Sequence, residues 1–166
     1  MTAPRASPAG TMVQVRRTLP VAPEEAFRAW TDPTLVSQWF RPRGGSSQRA
    51  EMDVRVGGHY RWAMKLLGHR YFAYGQYIEV DPPKRLVFTF GWERALVRLT
   101  DSLVTVEFAD LGDHTEVIIT HERLPTRGQR ALHAAGWRNC LVNLDRLWTD
   151  AVMAHMKKPV PPPGFS

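Results

Sequence analysis

The sequence predicts an α+β domain: a curved antiparallel sheet of about six to seven strands, two short helices after the first strand, and a long C-terminal helix. Three observations carry this prediction. From Gln48 to His121, apolar and polar residues alternate in short runs separated by Gly, Asp and Pro turns. Beyond Thr126 the apolar spacing changes to that of a helix and stays so. Two helix-start signals, Pro23-Glu24-Glu25 and Asp32-Pro33, follow the first strand in quick succession.

The 166 residues and their 43% hydrophobic content suit one domain with a real core. Residues 1–10, rich in Pro, Ala and Ser, read as a loose tail, residues 11–157 as the domain, and 158–166 as a Pro-rich tail that cannot continue a helix. No run approaches the roughly 18 apolar residues of a membrane span, and the N-terminus lacks the apolar stretch of a signal peptide. Cys140 is the only cysteine, so no internal disulfide forms and a cytoplasmic location is expected. The formal charge of +6 is spread over Arg16, Arg17, Arg41, Arg43, Arg55, Arg61, Arg94, Arg98 and Arg130, on different elements. Only Lys65, Lys84, Lys157 and Lys158 are lysines, and no nucleic-acid-binding motif accompanies the charge, so nucleic acid is not an expected partner.

The elements follow in order. "TMVQVRRTL" (11–19) alternates as a first strand. Pro23 opens a helix with Glu24 and Glu25 near its positive end and Ala26, Phe27 and Trp30 on one side. Asp32 caps a second helix with Pro33 in its first position and Leu35, Val36 and Trp39 as its apolar side. In "AEMDVRV" (50–56) Met52, Val54 and Val56 share one face, and Glu51, Asp53 and Arg55 the other. Gly57-Gly58 makes a tight turn into "HYRWAMKL" (59–66), where Tyr60, Trp62, Met64 and Leu66 share a face. Strands follow at 71–80, ended by Asp81-Pro82-Pro83, then at 85–92, at 102–110 and, after the Gly112-Asp113 turn, at 115–124. Short turns between consecutive strands imply an antiparallel meander.

For the last helix, Thr126 and Gln129 form a capping box. At 100° per residue Arg130, His133, Ala134, Trp137, Leu141, Leu144, Trp148, Val152 and His155 make one stripe, with Arg138, Asn139, Arg146 and Asp150 opposite. The helix is therefore expected across the concave face of the sheet.

Five stretches in register carry a resemblance over nearly the whole domain: "VAPEEAFRAWTDPTLVSQWFRP", "DVRVGGHYRWAM", "GQYIEVDPPKRLVFTFGWE", "VTVEFADLGDHTEVIITHE" and "GWRNCLVNLDRLW". The chain resembles the activator of heat-shock-protein-90 ATPase homologue family of the START-like (SRPBCC) superfamily. The resemblance implies the helix-grip fold of START and Bet v-like proteins, with a cavity between sheet and helix for an apolar or amphipathic molecule. Some members of the superfamily perform chemistry there, such as polyketide aromatase/cyclases; others bind or carry a ligand. The eukaryotic activators have an additional N-terminal chaperone-binding domain, for which this sequence has no room, so chaperone activation is not the leading expectation.

Aromatic excess at inward-facing positions fits such a cavity. Trp39 and Phe40 end the short helices; Tyr60, Trp62 and Met64 lie on one strand, Phe88 and Phe90 on another. On the long helix His133, Trp137, Leu141, Leu144 and Trp148 complete the expected lining, and His121 points inward with Val117 and Ile119. Lone inward histidines usually hydrogen-bond structurally, so neither His121 nor His133 is assigned a catalytic role. The scattered histidines show no metal-ligand spacing, there is no Gly-x-Ser-x-Gly elbow, and Cys140 has no evident base. The leading expectation is thus a small hydrophobic or amphipathic ligand, without catalytic residues, metal or cofactor. The alternatives are a cyclase, dehydratase or hydrolase using the same cavity, and a chaperone-associated interaction protein. Sheet edges, Val142 and Met153 offer surface for a homodimer.

Overall fold

The structure is a computed structural model describing residues 10–93 and 99–157, with side chains described as far as Ala151. Residues 1–9, 94–98 and 158–166 lie outside the described residues, as do the side chains of Val152, Met153, His155 and Lys157. The elements are β1 (Val13–Leu19), α1 (Pro23–Thr31), α2 (Pro33–Trp39), β2 (Ser46–Met52), β3 (His59–Leu66), β4 (His69–Asp81), β5 (Arg85–Glu93), β6 (Ser102–Asp110), β7 (Thr115–Glu122) and α3 (Arg127–Lys157). All seven strands form one sheet in the order β1-β7-β6-β5-β4-β3-β2, and every neighbouring pair is antiparallel. This is the helix-grip architecture. Among the described residues no helix is long and apolar enough to cross a membrane.

The meander from β2 to β7 places β1 at the edge opposite β2, so α1 and α2 must carry the chain from one edge to the other. Their joint is built locally. The Asp32 N–H donates to Arg28 O at the end of α1, while its carboxylate accepts from Thr34 N at 2.9 Å and starts α2. Trp39 then folds back, its indole N–H donating to Ala29 O at 2.8 Å, which satisfies one of the orphan carbonyls of α1. The two rings of Trp30 and Trp39 sit 4.4 Å apart.

The strand expected at 50–56 is displaced. β2 runs from Ser46 to Met52 and its pairing ends at Met52 opposite Tyr60. Residues 53–58 form a tight loop instead, closed by Arg55 N donating to Asp53 O and Gly58 N to Arg55 O. Gly57 has φ +86°, and a Cβ on Gly58 would lie 1.9 Å from Asp53 O, so the adjacent glycines allow a loop that the alternation of valines does not reveal. Val56 is consequently exposed, and Asp53 pairs with Arg55 within the loop at 2.8 Å.

Sheet curvature also has local causes. The register between β4 and β5 shifts between Tyr77 and Glu79, a bulge that bends β4. Gly75, opposite Tyr60, leaves room for Thr89 O, which would lie 1.9 Å from an added Cβ. That carbonyl accepts the Tyr60 hydroxyl at 2.6 Å.

The capping box of α3 forms as the sequence predicts: Gln129 N donates to Thr126 Oγ1 at 3.1 Å and Thr126 N to Gln129 Oε1 at 3.4 Å. Its 31 residues span about 46 Å. His133, Ala134, Trp137, Leu141 and Leu144 are buried, while Arg138, Arg146 and Asp150 are exposed. Asn139 departs from the expected outer face. It is half-buried and donates to Arg41 O at 3.0 Å, because the chain leaving α2 reaches that flank of the helix. Asn143, also buried, donates to Trp39 O at 3.3 Å. An Arg17–Asp145 ion pair at 2.8 Å ties β1 to the same helix.

Two buried tyrosines separate packing from hydrogen bonding. Tyr60 donates to Thr89 O, whereas the Tyr77 hydroxyl is buried without a hydrogen-bond partner among the described residues. Tyr60→Phe is expected to cost about 1 kcal/mol in urea denaturation, and Tyr77→Phe to be neutral or stabilising. Equal losses in both variants would contradict this assignment.

Candidate functional site

A cavity of about 340 Å³ lies between the sheet and the first half of α3. Phe40, Arg41 and Pro42, leaving α2, form one wall; Met64 and Leu66 of β3, Tyr71 of β4, and Phe90 and Trp92 of β5 form the floor. Leu132, His133, Gly136, Trp137 and Cys140 of α3 close it. The walls are overwhelmingly apolar. Gly136 is part of the reason the space exists, since nothing lies within 4 Å of where its Cβ would be.

Of the residues singled out in the sequence, Phe40, Met64, Phe90, His133 and Trp137 line this cavity. Trp39, Trp62, Phe88, Leu141 and Leu144 pack in the core behind it. Tyr60 is also in the core, its ring 4.6 Å from Trp62 and 5.3 Å from Phe88. Trp148 is half-buried against the core, three turns further along α3 than Trp137. Sequence reasoning did not single out Arg41, Pro42, Leu66, Tyr71, Trp92, Leu132, Gly136 and Cys140 as lining. Some signals were available: Trp92 continues the period-two series of Phe88 and Phe90, and Leu132, Gly136 and Cys140 stand four residues apart on one helical row. Nothing in the sequence marks Pro42 or Tyr71.

The two inward histidines are held in defined neutral tautomers by their partners. Ser102 Oγ donates to Phe90 O at 2.5 Å and so accepts from His121 Nε2–H at 2.8 Å. His121 Nδ1 in turn accepts the Trp137 indole N–H at 3.0 Å. His133 is arranged with the opposite tautomer: its Nδ1–H donates to Gln129 O at 2.7 Å and its Nε2 accepts from Trp92 Nε1 at 3.0 Å. The two imidazoles are 5.0 Å apart, edge to face. Burial, followed by the neighbouring His133, holds the His121 pKa well below the usual imidazole range. Burial lowers that of His133 against the opposing hydrogen bond to Gln129 O.

His121 is fully buried, its ring 5.1 Å from that of Phe90, and it is not part of the cavity wall. His133 is on the wall, but both ring nitrogens are engaged. The Cys140 thiol is pushed up to about 12 by burial, against the lowering influence of Arg41. It is therefore a thiol at neutral pH, not a nucleophilic thiolate. Among the described residues no group of three or more His, Cys, Asp or Glu could hold a metal ion.

The depressed histidine pKa values set the sign of a pH dependence. The unfolded chain takes up protons near pH 6.5 while the folded state holds both imidazoles neutral. Stability is therefore complete above that pH and declines as pH falls below it, with a limiting slope of about 1.4 kcal/mol per pH unit for each histidine. Urea midpoints measured at pH 7.5 and 5.5 are expected to drop at the lower pH. A midpoint unchanged between them would contradict the neutral histidine pair.

A family model described as Activator of Hsp90 ATPase homolog 1-like protein matches residues 20–149. A comparison with curated proteins found no match. Among solved structures, protein CV1439 from Chromobacterium violaceum is 26% identical with a TM-score of 0.72, over 82% of this chain and 96% of that one. Protein NE0264 from Nitrosomonas europaea is 25% identical with a TM-score of 0.72, over 88% and 99% of the two chains. CalU16 from Micromonospora echinospora, 23% identical with a TM-score of 0.63 over 86% and 79%, shares the fold. With its match running from the end of β1 well into α3, on a helix-grip framework, the chain belongs to the Activator of Hsp90 ATPase homolog 1-like family of the START-like superfamily.

Proposed function

We propose that this protein binds a small hydrophobic or amphipathic molecule in the cavity beneath α3, without covalent catalysis. The observation that carries this reading is the apolar space of about 340 Å³, walled by Phe40, Met64, Phe90, Trp92 and Trp137. Its volume falls within the 300–1,000 Å³ range usual for ligand sites. Burial of a ligand there would draw on the same apolar transfer energy that packs the core.

The chemistry of the wall favours binding over reaction. A general base needs a free ring nitrogen, and His133 uses one as a donor to Gln129 O and the other as an acceptor from Trp92. A thiol nucleophile needs a thiolate, and Cys140 is buried with its pKa raised.

Gly136 offers a direct test. Gly136→Leu directs a side chain into open space, and replacing a helical glycine adds up to about 1 kcal/mol of helix propensity. The variant is expected to keep or raise its melting temperature while losing ligand binding. With one- to three-ring apolar fragments, wild type is expected to show thermal stabilisation and shifted Trp92 and Trp137 indole NMR signals. Absence of any stabilising fragment, or undiminished binding to Gly136→Leu, would overturn the proposal.

A further inference from the structure

The hydrogen-bonding capacity left over on the cavity wall points to the charge of the ligand. Trp92, Trp137 and His133 direct their polar atoms to one another or to His121 and Gln129. The Cys140 thiol donates to Arg41 O at 3.8 Å. Two lining side chains keep donors uncommitted among the described residues. The Tyr71 hydroxyl has no hydrogen bond to them, and Arg41 makes a single long contact from Nη2 to Asn143 Oδ1 at 3.4 Å. A guanidinium carries five N–H donors and no acceptor.

Three residues of α3 contact Arg41, two at its backbone and one at its guanidinium. Its backbone carbonyl receives Asn139 Nδ2 at 3.0 Å and the Cys140 thiol. Its guanidinium meets Asn143, which is itself oriented by donating to Trp39 O. Arg41 itself lines the cavity, beside Cys140 and Phe40. Among the described residues no carboxylate lines the cavity and Arg41 has no ion-pair partner. Arg17 and Arg61, by contrast, are paired with Asp145 and Glu93.

We infer that the ligand is an aromatic carboxylate, its ring system among the aromatic walls and its anion on the Arg41 guanidinium. This rests on the ligand-binding reading above and adds the charge and size of the molecule. A cavity of ~150 Å³ accommodates benzene, so about 340 Å³ suits two fused rings. A carboxylate matches the planar guanidinium fork, which can grip both of its oxygens.

The test compares 2-naphthoate with 2-naphthamide, a neutral analogue of the same shape, by calorimetry and NMR at pH 7.5. Three proteins are used: wild type, Arg41→Gln and Gly136→Leu. Wild type is expected to bind the acid about tenfold or more tightly than the amide, the usual advantage of a charge-assisted hydrogen bond. Arg41→Gln should bring the two within about twofold, mainly by weakening the acid, and melting temperatures verify that the variant is folded. Gly136→Leu should bind neither, which separates the cavity from general attraction of anions to a basic surface. Equal binding of acid and amide by wild type would overturn the charge inference and leave the cavity reading standing. Retention of the acid preference in Arg41→Gln would overturn the role of Arg41, and acid binding that survives in Gly136→Leu would place the anion outside the cavity. Failure of both probes to bind any of the three proteins would count against both readings.

Discussion

A run of hydrogen bonds from Trp137 through His121 and Ser102 to the Phe90 carbonyl joins α3 to β7, β6 and β5. The rest of the architecture depends on this connection. A helix lying over a sheet with a cavity between them cannot be positioned by continuous apolar packing, because part of its inner face has nothing to pack against. Directional bonds set its height and rotation instead. The Trp92–His133 bond, 3.0 Å long, repeats the device one turn nearer the start of α3 and connects it again to β5. On the other flank Asn139 and Asn143 hold the chain leaving α2. Every member of the His121 run is satisfied, which is the condition under which a buried polar network adds rigidity instead of cost.

The same bonds shape the chemistry of the site. In both histidines the lone pair and the ring proton are engaged in the bonds that position the helix. His121 and His133 are both kept neutral by burial and each accepts from a tryptophan. The tryptophans thereby present hydrocarbon surface to the cavity while their N–H groups are directed elsewhere. An apolar space results, with Arg41 as the charged side chain at its wall.

Much of this architecture is legible in the sequence. Alternation from β3 to β7 identified the meander, Asp32-Pro33 marked the joint between α1 and α2, and Thr126 with Gln129 marked the start of α3. Each is a local signal in which neighbouring residues settle their own backbone. The displaced β2 shows the limit. Met52, Val54 and Val56 alternate as strand residues do, yet the bonds that Gly58 and Arg55 make within 53–58 close a loop there. The site was less legible than the fold, because an inward-facing aromatic can either fill the core or border a space. Trp62 and Met64 share one strand face, yet Trp62 packs against Trp30 and Trp39 while Met64 borders the cavity.

Sequence alone therefore determined the order and type of the elements, the inward faces of most strands, and the stripe by which α3 meets the sheet. Those features follow from periodicity, capping and turn chemistry, which act between residues a few positions apart. Tertiary structure decided which aromatic side chains surround empty space, which tautomer each histidine adopts, and that Arg41 stands at the cavity wall. These depend on groups far apart in the chain, such as Phe90, Ser102, His121 and Trp137, meeting at distances of a few ångströms. No local pattern encodes such a meeting; the packing of α3 against the curved sheet creates it.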